Sequence, residues 1–429
     1  MKGRLDADDH HAIRHRQTDV SKGLFMRSLF AAALPLVLAA PLAAQDTTVH
    51  AGPGDFLQGY YSQLRQQVAL PTAPIGVPLP STAATLTRIA VGSCNHQSRS
   101  QHMWAQIAAT NPDLFLFIGD NNYGDQNWSG DASLASLREA YAVMADTPEL
   151  AAFRARVPMM VTWDDHDFGF NDGGAAFAFR EWSEEIYETF WDASPEVKAR
   201  PGVYESRMFG SDGRRTQIIM LDTRFFRSDL QRMEYQDERA PLGPYVQSDD
   251  PAKTMLGEAQ WQWLEQELAK PADLRILVSS IQVLTDAHDY ESWEALPLER
   301  QKLYSLLADR EESGLVILSG DRHAGGVYSA MLPGTDETLL ELTSSSLNYS
   351  FSSTASNTAR EPDPLRLTDF ISEENFGLVE IDWNARAVTL QLRGNQGEVR
   401  ASEAVFWAPP ISDGPLIMEE QPAAASVGR

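Results

Sequence analysis

Val157-Pro-Met-Met-Val-Thr-Trp163 runs directly into Asp164-Asp165-His166-Asp167, followed by Phe168-Gly-Phe-Asn171-Asp172. An apolar run of strand length that stops at four consecutive ionisable side chains is costly to bury unless a cation lies among them. In an α/β sheet, the C-terminal ends of strands are where ligands and chemistry collect. The stretch therefore predicts a metal site at a strand end and makes the fold class α/β.

Outward from it, apolar runs and amphipathic periods alternate. Residues 86–92 and 114–118 read as strands and 103–109 and 133–145 as helices, with a third strand at 157–163 and a longer helix at 175–191. This order implies a substantially parallel sheet covered on both faces. Further strands are expected at 203–209, 217–221, 275–280 and 315–319, with helices at 256–268 and 298–307. The tail turns β-rich at 327–332, 338–342, 377–381 and 388–393, and the Ser/Thr/Asn-rich residues 343–360 read as a surface loop. Residues 227–253 form a polar excursion too long for a simple connection, which fits a pocket wall or lid.

Three other strand ends repeat the opening signature. They read Val91-Gly-Ser-Cys94-Asn-His96, then Phe117-Ile-Gly-Asp120-Asn-Asn-Tyr123-Gly-Asp125, and Gly320-Asp321-Arg322-His323-Ala-Gly-Gly326. Parallel strands would gather these ends along one sheet edge. Taken singly, each has a plainer explanation: Cys94 as a small buried hydrophobe, Asp120 as a turn residue, Tyr123 as a half-buried aromatic, Asp321 as a helix cap. Four coincidences at four strand ends favour a site. A thiolate and a phenolate (Cys94, Tyr123) suit a transition metal such as Fe(III), and the carboxylates of Asp120, Asp164, Asp165 and Asp321 suit hard cations such as Ca²⁺, Mg²⁺ or Mn²⁺. Two adjacent cations clamp a phosphoryl group and activate a hydroxide. Leu221-Asp-Thr-Arg224-Phe-Phe-Arg227 offers Arg224 or Arg227 to a phosphate, the alternative being an ion pair with Asp222 or Asp229. Arg322 has a similar claim, and Asn171 and Asp172 stand between pocket wall and turn. Trp163, Phe168, Phe170, Trp182 and Trp191 are expected in the core.

The net charge of −25 over 429 residues argues against sequence-independent nucleic-acid binding, which needs Lys and Arg on phosphates. From Met26, a charged Arg27, an apolar run and a small-residue end at Ala44 read as a general secretory signal peptide (26–44), so residues 1–25 look like a misassigned extension. The run is too short for a bilayer span, which leaves a periplasmic or secreted protein with no membrane anchor after cleavage. Residues 45–85 form a lead-in and Pro-rich linker, 86–411 the main domain, and 412–429 a disordered tail. Cys94 is the only cysteine, so no intramolecular disulfide is possible.

Together the motifs Gly-Ser-Cys, Gly-Asp-x-x-Tyr-Gly-Asp, Trp-Asp-Asp-His-Asp and Ser-Gly-Asp-Arg-His resemble the alkaline phosphatase D (PhoD-like) family of the calcineurin-like metallophosphoesterases, over about residues 86–393. The resemblance implies a four-layer α/β/β/α sandwich and an iron with one or two calcium ions. By motif it makes Cys94 a thiolate ligand, Asp120 the bridging carboxylate and Tyr123 a phenolate on iron. Asp165, joined by Asp164, takes a metal-binding slot, with Asp321 and His323 as the closing pair. It places His166 beside the leaving group and Asp167 behind the ligands. Where the superfamily often has another metal-binding His, this chain has Gln282, with His288 further on. The implied activity is hydrolysis of small phosphate esters, monoesters and diesters alike, by a metal-bound hydroxide, with His166 protonating the leaving group. The alternative is a secreted binding module on the same fold without catalysis.

Overall fold

The structure is a computed structural model that describes residues 53–234, 242–311, 314–350 and 353–407. The expected extension, signal peptide and tail lie outside those residues. The first half contains α1 (Pro53–Gln67), β1 (Arg88–Gly92), α2 (Met103–Ala109), β2 (Leu114–Ile118), α3 (Ala135–Ala145), α4 (Pro148–Arg154), β3 (Met159–Thr162), the single turn α5 (Asp165–Phe168) and α6 (Arg180–Trp191). It continues through β4 (Glu205–Phe209), β5 (Thr216–Met220), a short hairpin of β6 (Gln231–Arg232) and β7 (Tyr245–Val246), α7 (Gly257–Leu268), β8 (Leu274–Val278) and α8 (Pro297–Ala308). The last part holds β9 (Leu315–Ser319), β10 (Gly325–Met331), β11 (Thr338–Ser344), α9 (Thr354–Arg360), β12 (Asn375–Asp382), β13 (Ala387–Gly394) and β14 (Val399–Phe406).

The substantially parallel sheet expected from strand order is instead two mixed six-stranded sheets, as in the four-layer sandwich that the motifs implied. Their orders are β14-β13-β12-β1-β2-β3 and β10-β11-β9-β8-β5-β4. Strands β1, β2 and β3 run parallel, as do β5, β8, β9 and β11, while the later strands add antiparallel edges. β12 joins β1 antiparallel, with Arg88 opposite Glu380. Sequence order could not show this, because the chain switches sheets after β3 and returns to the first only at β12.

Alternation along each strand explains why the runs are apolar throughout. In β2, Leu114, Leu116 and Ile118 face the second sheet, whereas Phe115 and Phe117 face the helices that carry Trp104 and Phe153. Ile218, Met220, Ile276 and Val278 answer from the second sheet across the inter-sheet core. Ile219, Leu277 and Ile317 pack outward against Trp261, Leu264 and Leu303 of α7 and α8. The central strands are thus covered on both faces, which gives the α/β/β/α layering. Every fully buried Leu, Ile or Phe contributes about 1.5–3 kcal/mol.

Two local readings change. Residues 343–348 are buried rather than a surface loop, and 354–360 are helical. Asn348 shows why polar residues tolerate this: its amide nitrogen donates to Asn95 Oδ1 and to the carbonyls of His96 and Ser100, each at 3.1 Å, and its oxygen accepts from His96 N–H at 2.6 Å. Phe170 is 45% exposed, outside the core expected for it, while Trp163, Phe168, Trp182 and Trp191 are buried.

Candidate metal centre

The ends of β1, β2 and β3 from one sheet meet the end of β9 from the other. Of nine non-glycine residues with φ in the left-handed region among the described residues, five are here: Cys94 (58°), Asp120 (47°), Asp172 (55°), Asp321 (68°) and His323 (52°). Such conformations cost on the order of 1–3 kcal/mol each and persist where surrounding contacts enforce them. Here the ladder overruns the strands, with Cys94 N–H on Gly119 O at 3.4 Å and Asn95 N–H on Asp120 O at 2.9 Å. Gly119 has φ 118°, and a Cβ there would lie 2.6 Å from the Cβ of Asp164. The absence of a side chain is what lets the second and third strand ends touch.

Asp120 is the hub. Its Oδ2 is 3.3 Å from Cys94 Sγ and 3.1 Å from the Tyr123 hydroxyl, which in turn is 3.2 Å from His323 Nε2. Donor atoms of Cys94, Asp120 and His323 lie within 4.8 Å of one another, and so do those of Asp120, Asp164, Asp165 and Asp321. One carboxylate therefore belongs to a soft donor group and to a hard one. A further acidic group joins Asp165, Asp172 and Glu291.

These donors suit cations on electrostatic grounds. Burial pushes the carboxyls of Asp120 and Asp321 well above the usual range and that of Asp164 up to about 7, against the pull of Arg224. Burial also raises the Cys94 thiol and the Tyr123 phenol, with Asp120 adding to both. His323 is pushed down to about 3 by burial and by His166. Asp165 is lowered: burial opposes its ionisation, but His166 and Arg224 outweigh it. Asp164 Oδ2 and Asp165 Oδ1 are buried without a hydrogen-bond partner. Anionic oxygens left so are expensive unless a cation takes them, so the residues fit a metal centre.

The opening stretch divides as follows. Asp164 caps α5, and Asp167 accepts from its backbone N–H at 2.7 Å and from Asn121 Nδ2 at 2.5 Å, which places Asp167 behind the candidate donors. Burial pushes the Asp167 carboxyl up to about 8. Asp165 Oδ2 accepts from Asp172 N–H at 2.8 Å. His166 turns to the cleft, with Nδ1 2.7 Å from Asp125 Oδ1 and its ring 4.2 Å from that of Tyr123.

Arg224 is a correction. Expected on phosphate, it is fully buried, with Nε on Asp164 Oδ1 and Nη1 on Glu291 Oε2, both at 2.5 Å. Arg227 also pairs with Glu291. Asp222 accepts backbone N–H groups, including that of Arg224 at 2.8 Å, and Trp163 Nε1 at 2.9 Å rather than a guanidinium. His288 is not at the surface: it is buried, 3.0 Å from Gln282 Oε1, and Gln282 donates to Thr343 Oγ1 at 2.9 Å. Asn171 and Arg322 do border the cleft of about 430 Å³ that also exposes Asp165, His166, Asp321 and His323. Sequence reasoning missed Glu291 and Asp125 as site residues. Asp125 had a signal, since it closes the second motif; Glu291 had none.

Two mixed sheets in an α/β/β/α sandwich, with strand ends converging on Cys, Tyr, His and four carboxylates, define a protein of the metallophosphoesterase class. The chain belongs to the PhoD-like phosphatase family, whose sequence model matches residues 89–392. It is 24% identical over 325 residues to alkaline phosphatase D of Bacillus subtilis (strain 168), covering 67% of this chain and 54% of that protein. The chain thus spans about half the length of that curated relative. A solved structure described as "Structure of PhoD" superposes with a TM-score of 0.60 at 18% identity, covering 77% of this chain and 71% of that one, which supports the fold.

Proposed function

We propose that the chain is a metal-dependent phosphoesterase of the alkaline phosphatase type, acting on small phosphate esters. The observation that carries it is the shared position of Asp120 between two donor groups of different chemistry. Cys94, Tyr123 and His323 with Asp120 would hold a transition metal, for which iron(III) suits a thiolate and phenolate. Asp164, Asp165 and Asp321 with Asp120 would hold calcium or another hard divalent cation. When bound, such a pair supplies positive charge for the phosphoryl oxygens and lowers the pKa of a water.

The chain's own residues do the rest. Asp125 fixes the His166 ring through Nδ1, leaving Nε2 as the atom that gives a proton to the departing alkoxide. Burial works against the imidazolium, but Asp165, Asp120 and Asp125 together raise the pKa of His166 well above the ordinary value, which favours the proton-carrying form. Arg322 and Asn171 border the cleft as substrate contacts, and Asp167 and Arg224 orient Asp164. Residues 26–44 would direct export. No helix among the described residues is long and apolar enough to cross a membrane.

The test is release of p-nitrophenol from the phosphate and bis-phosphate esters, with and without chelator. Turnover that chelator abolishes and added metal restores is expected. No turnover with any metal supplied would end the enzymatic reading and leave a binding module on the same fold.

A further inference from the structure

The cleft has two ends of opposite character. Asp165, Asp172, Glu291 and Asp321 are in its lining with His166, and Arg322 and Arg360 are the arginines there, beside Glu361. Arg322 spends Nη2 on Glu361 at 2.5 Å, its Nε is buried without a hydrogen-bond partner, and its side chain is only 8% exposed. Its guanidinium lies over the Tyr290 ring at 4.6 Å. Arg360, exposed in the last turn of α9, donates to the hydroxyl of that same Tyr290 at 3.2 Å.

Tyr290 thus touches both guanidiniums, one over its ring face and one at its hydroxyl. The next residue in the chain, Glu361, does not neutralise Arg360, because Arg322 and Arg366 already take it, Arg366 Nη1 at 3.9 Å. Asp363, also near Glu361, accepts from Thr285 at 2.6 Å. Among the described residues, Arg360 has no carboxylate within ion-pair distance, in a chain of net charge −25. Arg360, free of a carboxylate, together with the unused Nε of the Glu361-paired Arg322 on the same aromatic ring, is a seat for an anion with several oxygens.

We propose that Arg360, Tyr290 and Arg322 form a subsite for a second anionic group on the substrate, so that the favoured esters carry another phosphate beside the one being cleaved. The assignment rests on the phosphoesterase reading above and names its substrate class. A second phosphate is seated at the basic end while the first occupies the metal-binding end. The protein's acidity is then no obstacle, because the repulsion is relieved locally at both ends of the cleft.

The experiment compares kcat/KM of the metal-loaded protein for fructose 1,6-bisphosphate and for fructose 6-phosphate. The native protein is expected to prefer the bisphosphate, and Arg360→Met to lower the bisphosphate-to-monophosphate ratio by roughly tenfold, the scale of one charge-assisted hydrogen bond. Arg360→Lys, keeping charge without the fork, should recover part of that ratio. A ratio unaltered in Arg360→Met overturns the subsite. If neither ester nor p-nitrophenyl phosphate is turned over, the phosphoesterase reading fails separately, and calorimetric titration with fructose 1,6-bisphosphate decides the subsite. A Kd weakened roughly tenfold in Arg360→Met sustains it, and an unchanged Kd refutes it.

Discussion

Replacing Asp125 by Asn changes one atom type and leaves the fold in place, yet it should move the pH profile of the whole reaction. The Asp125 carboxylate lies 2.7 Å from His166 Nδ1, and the two side chains are only 8% and 14% exposed, so solvent screens little of their attraction. A hydrogen bond between charged partners contributes about 1.5–3 kcal/mol, which corresponds to about 1–2 pKa units. Burial lowers the His166 pKa while Asp165, Asp120 and Asp125 raise it. Cations on Asp120 and Asp165 would cancel their share, so the contribution of Asp125 is the one that survives metal loading. Because the protonated imidazole is the working form, its pKa sets the alkaline limb of kcat. Asp125→Asn should therefore shift that limb to lower pH by about 1–2 units. The assay is kcat against pH for an alkyl phosphate, whose alkoxide needs the proton, beside p-nitrophenyl phosphate, whose leaving group needs it much less. An alkaline limb that stays put in Asp125→Asn, or an equal loss on both substrates, would show that His166 is not the acid.

Arg224→Met should destabilise the protein by about 3–5 kcal/mol, since it removes the guanidinium that pairs with buried Asp164 and leaves Glu291 with Arg227 alone. Urea unfolding measures this, and a variant of native stability with only a raised KM would return Arg224 to the substrate. Chelated protein should lose stability as pH rises from about 4 to 8: the Asp164 and Asp167 carboxyls are raised to about 7 and about 8 in the fold, so unfolding releases protons throughout that window. Melting temperatures with and without metal at pH 5 and pH 8 check the sign, and a chelated protein more stable at pH 8 would refute it. Elemental analysis of natively loaded protein should give iron with calcium, and Tyr123→Phe should abolish any purple absorption. A colour that persists would remove the phenolate from the iron.

What was legible in the sequence was local. The strands at 114–118 and 315–319 and the helix at 103–109 came out with the observed bounds, because each has an unbroken apolar or amphipathic signal ended by glycine or a polar turn. The donors Cys94, Asp120, Tyr123, Asp164, Asp165, Asp321 and His323 could be picked out because ionisable residues directly after a buried strand are hard to explain otherwise, and the structure does bring them together. What escaped was whatever depends on pairing across the chain. Nothing in the run 86–92 says that it lies between β2 and β12, and nothing around Arg224 says that its partners come from residues 164 and 291. α4 was passed over as well, though Pro148 at its first turn is a start signal. The strained backbone of Cys94, Asp120, Asp321 and His323 has no counterpart in composition, since none of these residue types demands a left-handed conformation.

The pairing of β1 with β12 also sets a timetable. The strand that carries Cys94 has β2 for a neighbour early in synthesis, but its other edge stays open until residues 375–382 have been made. The loop after it is pinned by residues made only shortly before β12, through backbone bonds from Leu347 to Ser93 and from Asn348 to Cys94. Contacts of such long sequence separation form slowly. Throughout that interval the chain's one thiol is accessible to oxidants that would convert it beyond repair. The last third of the polypeptide therefore acts as the guardian of a sulfur placed near its beginning, and how quickly those strands dock governs how much of the protein reaches maturity with that sulfur intact.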